Sequence, residues 1–337
     1  MDRIDTISEL LSLSNSQFRI YDIGRRIAKM SKDTFNKVEQ NQLPYPFPSQ
    51  GQASLAIAFW QPPSKSPYLW FVRLPLDERG LLNQGARNHF IAIIIEALGS
   101  DLTQDPSEKQ EELLKSNPYN FQPAEYKLAT LNSMLKVELK QAASIHFETA
   151  QEYISGQRDW QDWQTIGIQG ISDVAARIEE PATYKAIATN IGHYPAPVLN
   201  ALCLALENYI LPVQVIDELI RCAKQAVNAD DKLHLLRALA SSSNHPHVKA
   251  YITDILNQKP DDDTLITLAG RCWEVFSEPA LLNKYLTLLS QREDLSLFSA
   301  IFKDLVGIPE LRHHVFAVMR SEQRDESLAK AIGLLFR

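Results

Sequence analysis

The sequence predicts a mainly α-helical chain of 337 residues in which β-strands are confined to the first hundred. Three observations carry this. Two interleaved series of helix starts recur through the C-terminal half with a common period. Runs rich in aromatic and branched residues occur only near the N-terminus. Between the two lies a stretch of about 33 residues, Pro123 to Ser155, with no interior Gly or Pro.

The first series begins with an acid: DKLHLLRALA from Asp231, DTLITLAGRCWEVF from Asp263, DLSLFSAIFKDLVG from Asp294 and DESLAKAIGLLFR from Asp325, spaced 32, 31 and 31 residues apart. The second begins with proline, from Pro212, Pro246, Pro279 and Pro309, spaced 34, 33 and 30. Asp at an N-cap accepts backbone N–H bonds, and Pro in the first turn sacrifices no intrahelical bond, so both starts predict helices. Pro181 and Pro197 extend the pattern more loosely, and the segment from Asp162 to Ile178 is expected to start it. Short connections make each repeat an antiparallel hairpin whose apolar face is covered by its neighbour. The expected product over 157–337 is a HEAT-like α-solenoid of helical hairpin repeats. Its last stretch ends in Leu334, Leu335 and Phe336, an apolar face that requires a neighbour or a partner.

Residues 1–104 read as a small α+β domain. Strands are expected from Phe18 (FRIYDI), Ala53 (ASLAIAFW) and Tyr68 (YLWFVRLPLD), the last two joined as a hairpin by QPPSKSP. Helices are expected over 3–13, 31–41 with Ser31 as N-cap, and 84–98. Residues 105–156 are expected to connect the two domains. Leu128, Leu131, Leu135, Leu139, Ala142, Ile145 and Ile154 share a broad stripe there, which predicts one spine helix over 123–155, roughly 50 Å long at 1.5 Å per residue.

Composition removes several classes of function. Only 12 residues are Gly, and P-loop, GxGxxG, HExxH and serine-elbow strings are absent, so no cofactor is expected. Cys203, Cys222 and Cys272 show no metal-ligand spacing and read as reduced thiols, and the pairs His245/His247 and His313/His314 lack accompanying ligands, so no metal is expected. The longest apolar runs are six residues, far short of a membrane span. The opening MDRIDTISELLSL reads as a folded helix rather than a leader, giving the expectation of a cytoplasmic protein. Residues 151–337 carry 18 Lys and Arg against 24 Asp and Glu, a balance that disfavours nucleic acid and favours a basic protein or peptide.

Polar groups at element ends in the α+β domain are the candidate site: Asp22, Arg25 and Arg26 after the first strand, Asp77, Glu78 and Arg79 after the third, and Arg87 and His89 at the start of the following helix. Arg with paired carboxylates orients an anionic or amide ligand, with a carboxylate as base. The same LDERG string also reads as a strand-ending turn whose charges pair with each other. Trp160 and Trp163, at i and i+3, are expected to pack the spine against the first repeat.

FRIYDIGRRI from Phe18, PYPFP from Pro44 and WFVRLPLDERGLL from Trp70, with its Leu76-Asp77-Glu78 core, resemble a bacterial family of proteins of unknown function that has an LDE motif and about the length of this chain. The resemblance gives weight to Asp77 and Glu78 and implies no activity. The two functional expectations are therefore an interaction or scaffold protein using an acidic solenoid surface, and an enzyme or small-anion binder using the polar site of the first domain.

Overall fold

Aromatic and branched residues near the N-terminus pair into one antiparallel sheet. The computed structural model describes residues 4–64, 66–99, 102–103, 107–322 and 324–335. Strands β1 (Gln17–Asp22), β2 (Ala28–Met30), β3 (Gln52–Trp60) and β4 (Tyr68–Pro75) lie in the order β2-β1-β3-β4. The expected hairpin joins β3 to β4, with Ile57 opposite Trp70 and Leu55 opposite Val72. Strand β2 has only three residues, too few to show alternation, and the sequence reading missed it. One side of β3 presents Leu55, Ile57 and Phe59 to a core shared with Ile7, Phe35 and Phe90.

Three helices supply that core: α1 (Ile7–Leu13), α2 (Lys32–Glu39) and α3 (Gln84–Leu98). Ser31 caps α2, as expected, by accepting the Thr34 N–H at 3.0 Å. Asn83 does the same for α3 through Ala86 N at 2.9 Å. Residue 3, where the first helix was expected to begin, lies outside the described residues.

The chain divides into two compact units, Met1–Pro123 with Val306–Arg312, and Ala124–Leu305 with His313–Arg337. The first therefore runs past the expected boundary at 104, a residue that itself lies outside the described ones. Helix α4 (Glu108–Lys115) packs on α3. The following segment lies along β4, where Arg73 N donates to Tyr119 O at 2.7 Å and Phe121 N to Phe71 O at 3.3 Å. Those bonds hold the chain in the first unit almost to Pro123.

The single spine helix expected over 123–155 is two helices, α5 (Glu125–Glu138) and α6 (Phe147–Ile154). Helix α7 (Ile168–Ala175) packs against both, which requires the chain to turn between them. Lys140 takes the left-handed conformation at φ 54°. Asp173 of α7, fully buried, pins the turn by accepting Ser144 N at 2.9 Å and the Ser133 hydroxyl at 2.7 Å. An apolar stripe reads alike for one long helix and for two folded back on each other, and no Gly or Pro marks this break.

Trp160 and Trp163 sit in a 3-10 turn, Trp160–Thr165, rather than an α-helix. Trp160 meets Tyr153 of α6 edge-on at 5.4 Å and stacks with His193 at 6.0 Å. Gly156, in the left-handed conformation at φ 76°, follows the end of α6 and donates its N–H to Tyr153 O at 2.9 Å.

The remaining helices follow both predicted series: α8 (Pro181–Asn190), α9 (Ala196–Leu206), α10 (Val213–Gln225), α11 (Ala229–Ala238), α12 (Pro246–Asn257), α13 (Asp262–Arg271), α14 (Pro279–Ser290), α15 (Ser296–Gly307), α16 (Pro309–Arg320) and α17 (Glu326–Leu334). Pro181, Pro246, Pro279 and Pro309 open their helices, whereas Pro212 is an N-cap. Asp325 caps α17 as expected, but Asn228 and Asp261 cap α11 and α13 in place of Asp231 and Asp263. Phe336, in the last expected stretch, lies outside the described residues. Among the described residues no helix is long and apolar enough to cross a membrane.

Alternate helices are neighbours. Helix α9 packs on α7 and α11, and α11 on α13; likewise α8 packs on α6 and α10, and α12 on α10 and α14, while α14 packs on α17. Polar links join positions one step along: Arg237 to Glu207 at 2.9 Å, His247 to Asp217 at 2.6 Å, Lys224 to Asp254 at 3.5 Å and Arg292 to Asp262 at 3.1 Å, each pair 30 residues apart. Lys249 to Glu278, at 3.8 Å, spans 29 residues, and the Ser242 hydroxyl accepts Leu211 N across 31.

Glu207 is the buried member of this set. With no exposed surface, it accepts Arg237 Nε and Nη2 and lies 3.4 Å from Arg271 Nε. Removing the carboxylate strands a largely buried guanidinium, so Glu207→Ala should lower stability by about 3 kcal/mol. Replacing both partners, Glu207→Leu with Arg237→Met, should recover much of that loss in urea unfolding, because the pair's desolvation cost disappears with it.

Candidate functional site

The polar groups singled out in the sequence lie in the first unit, and their bonds run to different places. Asp22 ends β1, where the sheet and the Asp22–Ala28 connection leave it buried. Its carboxylate accepts Gly24 N at 3.2 Å and the hydroxyl of Tyr45. Tyr45, fully buried, also donates its backbone N–H to Gly80 O at 2.8 Å. Burial first, then the Asp22 charge, pushes the Tyr45 hydroxyl well above the usual tyrosine range, so it stays a donor. Arg25 is buried beside them and donates Nε to Pro48 O at 2.8 Å. Arg26 is buried as well. The Pro44–Pro48 segment thus binds the Asp22 cluster on one side and the end of the LDERG turn on the other.

Asp77, Glu78 and Arg79 are exposed. Asp77 Oδ1 accepts the N–H groups of Arg79 at 2.9 Å and Leu81 at 2.8 Å, and Oδ2 takes the Arg79 guanidinium at 3.1 Å. Gly80, at φ 81°, completes the turn by donating to Asp77 O. The Leu81 N–H and the Arg79 contacts hold the Asp77 carboxyl below the usual range. Arg312 joins the same turn, donating Nη1 to Arg79 O at 3.2 Å. The turn reading of LDERG therefore describes its geometry, with Asp77 as the anchor.

Arg87 and His89 face elsewhere. Arg87, buried, donates Nη1 to the backbone carbonyl of Glu39 and Nη2 to Asn88 Oδ1 at 2.8 Å. His89 is exposed and meets the Tyr119 hydroxyl at 3.1 Å through Nδ1. The eight residues are thus shared among three settings: the Tyr45 segment, the Asp77 turn it adjoins, and the α2–α3 contact with its exposed neighbour His89.

The third setting contains a residue the sequence reading missed. Glu39, with no exposed surface, accepts Ile7 N at 2.6 Å, Ser8 N at 3.0 Å and the Ser8 hydroxyl at 2.6 Å. It thereby satisfies the first two N–H groups of α1, while Thr6 caps Glu9. The signal was present in the spacing, since Phe35, Val38 and Glu39 stand at i, i+3 and i+4 on one helical face. Burial raises the Glu39 carboxyl above the usual range, against the lowering by Ser8, Ile7 and the Arg87 charge.

Two outcomes are expected of this arrangement. Glu39→Ala leaves two buried N–H groups without an acceptor and should cost about 2 kcal/mol. A carboxyl raised in the folded state contributes fully below its unfolded value of 4.5, and that contribution falls as pH rises through the folded value. The margin of wild type over the variant, read by urea unfolding, should therefore be larger near about pH 4 than near about pH 7. Tyr45→Phe keeps the ring and removes the donor to buried Asp22, and should cost about 1–3 kcal/mol in the same measurement.

No curated protein and no solved structure shows significant similarity to this chain. A family model described as "Protein of unknown function (DUF3549)" matches residues 2–336. That span takes in both compact units and every polar group described above, and the chain belongs to this family.

Proposed function

We propose that this chain is an interaction or scaffold protein whose second unit is a HEAT-like α-solenoid that binds another protein through an acidic surface, with the first unit adding a second contact surface. The observation that carries the reading is the set of polar links at intervals of 29–31 residues between alternate helices. Their spacing lies close to the 30–34 residues between successive helix starts of each series, as expected when near-equivalent positions of stacked hairpins meet. The excess of acids in residues 151–337, 24 against 18, favours a basic partner. Solenoids commonly work as extended binding surfaces, and that analogy supplies the functional class. The enzyme reading gains less support, because Asp77 anchors a turn, Asp22 accepts a buried tyrosine and Arg87 holds a helix end.

The test uses the intact chain and a partner recovered with it by cross-linking and mass spectrometry. Cross-links should fall on the second unit, and association should slow as salt rises, since screening shortens the reach of the charges to about 8 Å at physiological ionic strength. Cross-links confined to the first unit, or tight binding of the chain to duplex DNA, would overturn the reading.

A further inference from the structure

A pocket of about 290 Å³ opens in the second unit between α6, α7 and the first turn of α8. Ile154, Val174, Ala182 and Ala186 give it apolar walls. Helix α8 begins at Pro181 behind Glu180, whose side chain makes no cap, and no acceptor among the described residues takes the Ala182 N–H. Thr183 stands beside it in the lining, only 4% exposed, with a hydroxyl that makes no hydrogen bond among the described residues. Thr130 of α5 and Thr253 of α12 instead donate theirs to the carbonyl four residues back. For a residue in a first turn that carbonyl precedes the helix, so Thr183 lacks the usual outlet. A buried hydroxyl without a partner is costly, and one in the wall of a pocket calls for an acceptor from outside.

Glu152 of α6 supplies the opposite chemistry. Arg158 Nε and Nη2 both bind its Oε2, at 2.8 and 2.7 Å, which leaves Oε1 to accept from another donor. The lining thus combines donors from α8 with an acceptor from α6, and it contains no cation. A carboxylate entering it would face Glu152 with nothing to donate, and an apolar group would satisfy neither wall. A carboxamide carries an acceptor oxygen and a donor nitrogen on one carbon, so it answers both. The volume suits one side chain with its stem rather than a cofactor, for which pockets start near roughly 300 Å³ and extend well above it.

We propose that this pocket receives a glutamine side chain of the protein partner. Its carbonyl oxygen accepts from the Thr183 hydroxyl and the Ala182 N–H, its amide nitrogen donates to Glu152 Oε1, and its methylenes lie on the apolar walls. The inference rests on the reading of the second unit as a partner-binding surface and names one group that this surface recognises.

The N-acetyl amides of glutamine, glutamate and methionine, alike in backbone and similar in length, decide it without the partner. Ligand-observed NMR titration against the intact chain at neutral pH should show the glutamine compound binding about tenfold tighter than either of the others. Thr183→Val keeps the shape and removes the hydroxyl. It should erase that preference while leaving the urea midpoint of the free chain no lower, because a hydroxyl without a partner stabilises nothing. Thr183→Ser should restore the preference, and Ala186→Phe should fill the pocket and abolish binding. Equal binding of the three compounds, no binding of any, or a glutamine preference that survives Thr183→Val would overturn the inference. If cross-links to a partner still fall on the second unit in that event, the scaffold reading stands and only the pocket assignment fails.

Discussion

The carboxylate and carbonyl of one buried residue, Glu39, place all three core helices of the first unit. The side chain takes the first N–H groups of α1, and the backbone carbonyl receives Arg87 and Gln84 of α3. Each of those groups is an unmet donor on its own, because helix N-termini and buried guanidinium groups need acceptors that an apolar core does not provide. A single chain position at the end of α2 resolves both. The sheet then fits beneath the helices, with the core side of β3 filled by Leu55, Ile57 and Phe59.

The residues that carried the family resemblance are not scattered in space. FRIYDIGRRI supplies Asp22 and Arg25, PYPFP supplies Tyr45, and the LDERG turn supplies Gly80. Tyr45 touches both others, through its hydroxyl and its N–H. Three segments far apart in sequence therefore meet at one buried tyrosine. Their chemistry as observed is that of a clamp, in which charged groups satisfy backbone atoms and each other.

Much of the architecture was legible because it rests on local chemistry. Ser31 and Asp325 cap helices through their own side chains, and Pro246 or Pro279 can open a helix without reference to anything distant. What was not legible depends on contacts between segments. The break between α5 and α6 is fixed by Asp173, about 30 residues downstream of the turn it pins, and nothing in residues 123–155 announces it. Glu39 was hidden for a related reason: a lone glutamate at a helix end reads as solvent-facing until its partners in α1 and α3 are known. Short β2 was lost because three residues cannot display a period of two.

The candidate site was legible as a set of residue types and not as a set of neighbours. Charged residues at strand and helix ends serve equally to bind ligands and to close turns, and the choice lies in where their bonds point. Here Asp77 directs one oxygen at two N–H groups of its own turn, so its geometry is determined by residues within four positions. The second unit differs in kind. Its polar links join helices at sequence intervals of 29–31 residues. Each of those links joins segments about 30 residues apart, so, like the Asp173 contacts, none could be read before the helices were placed beside one another.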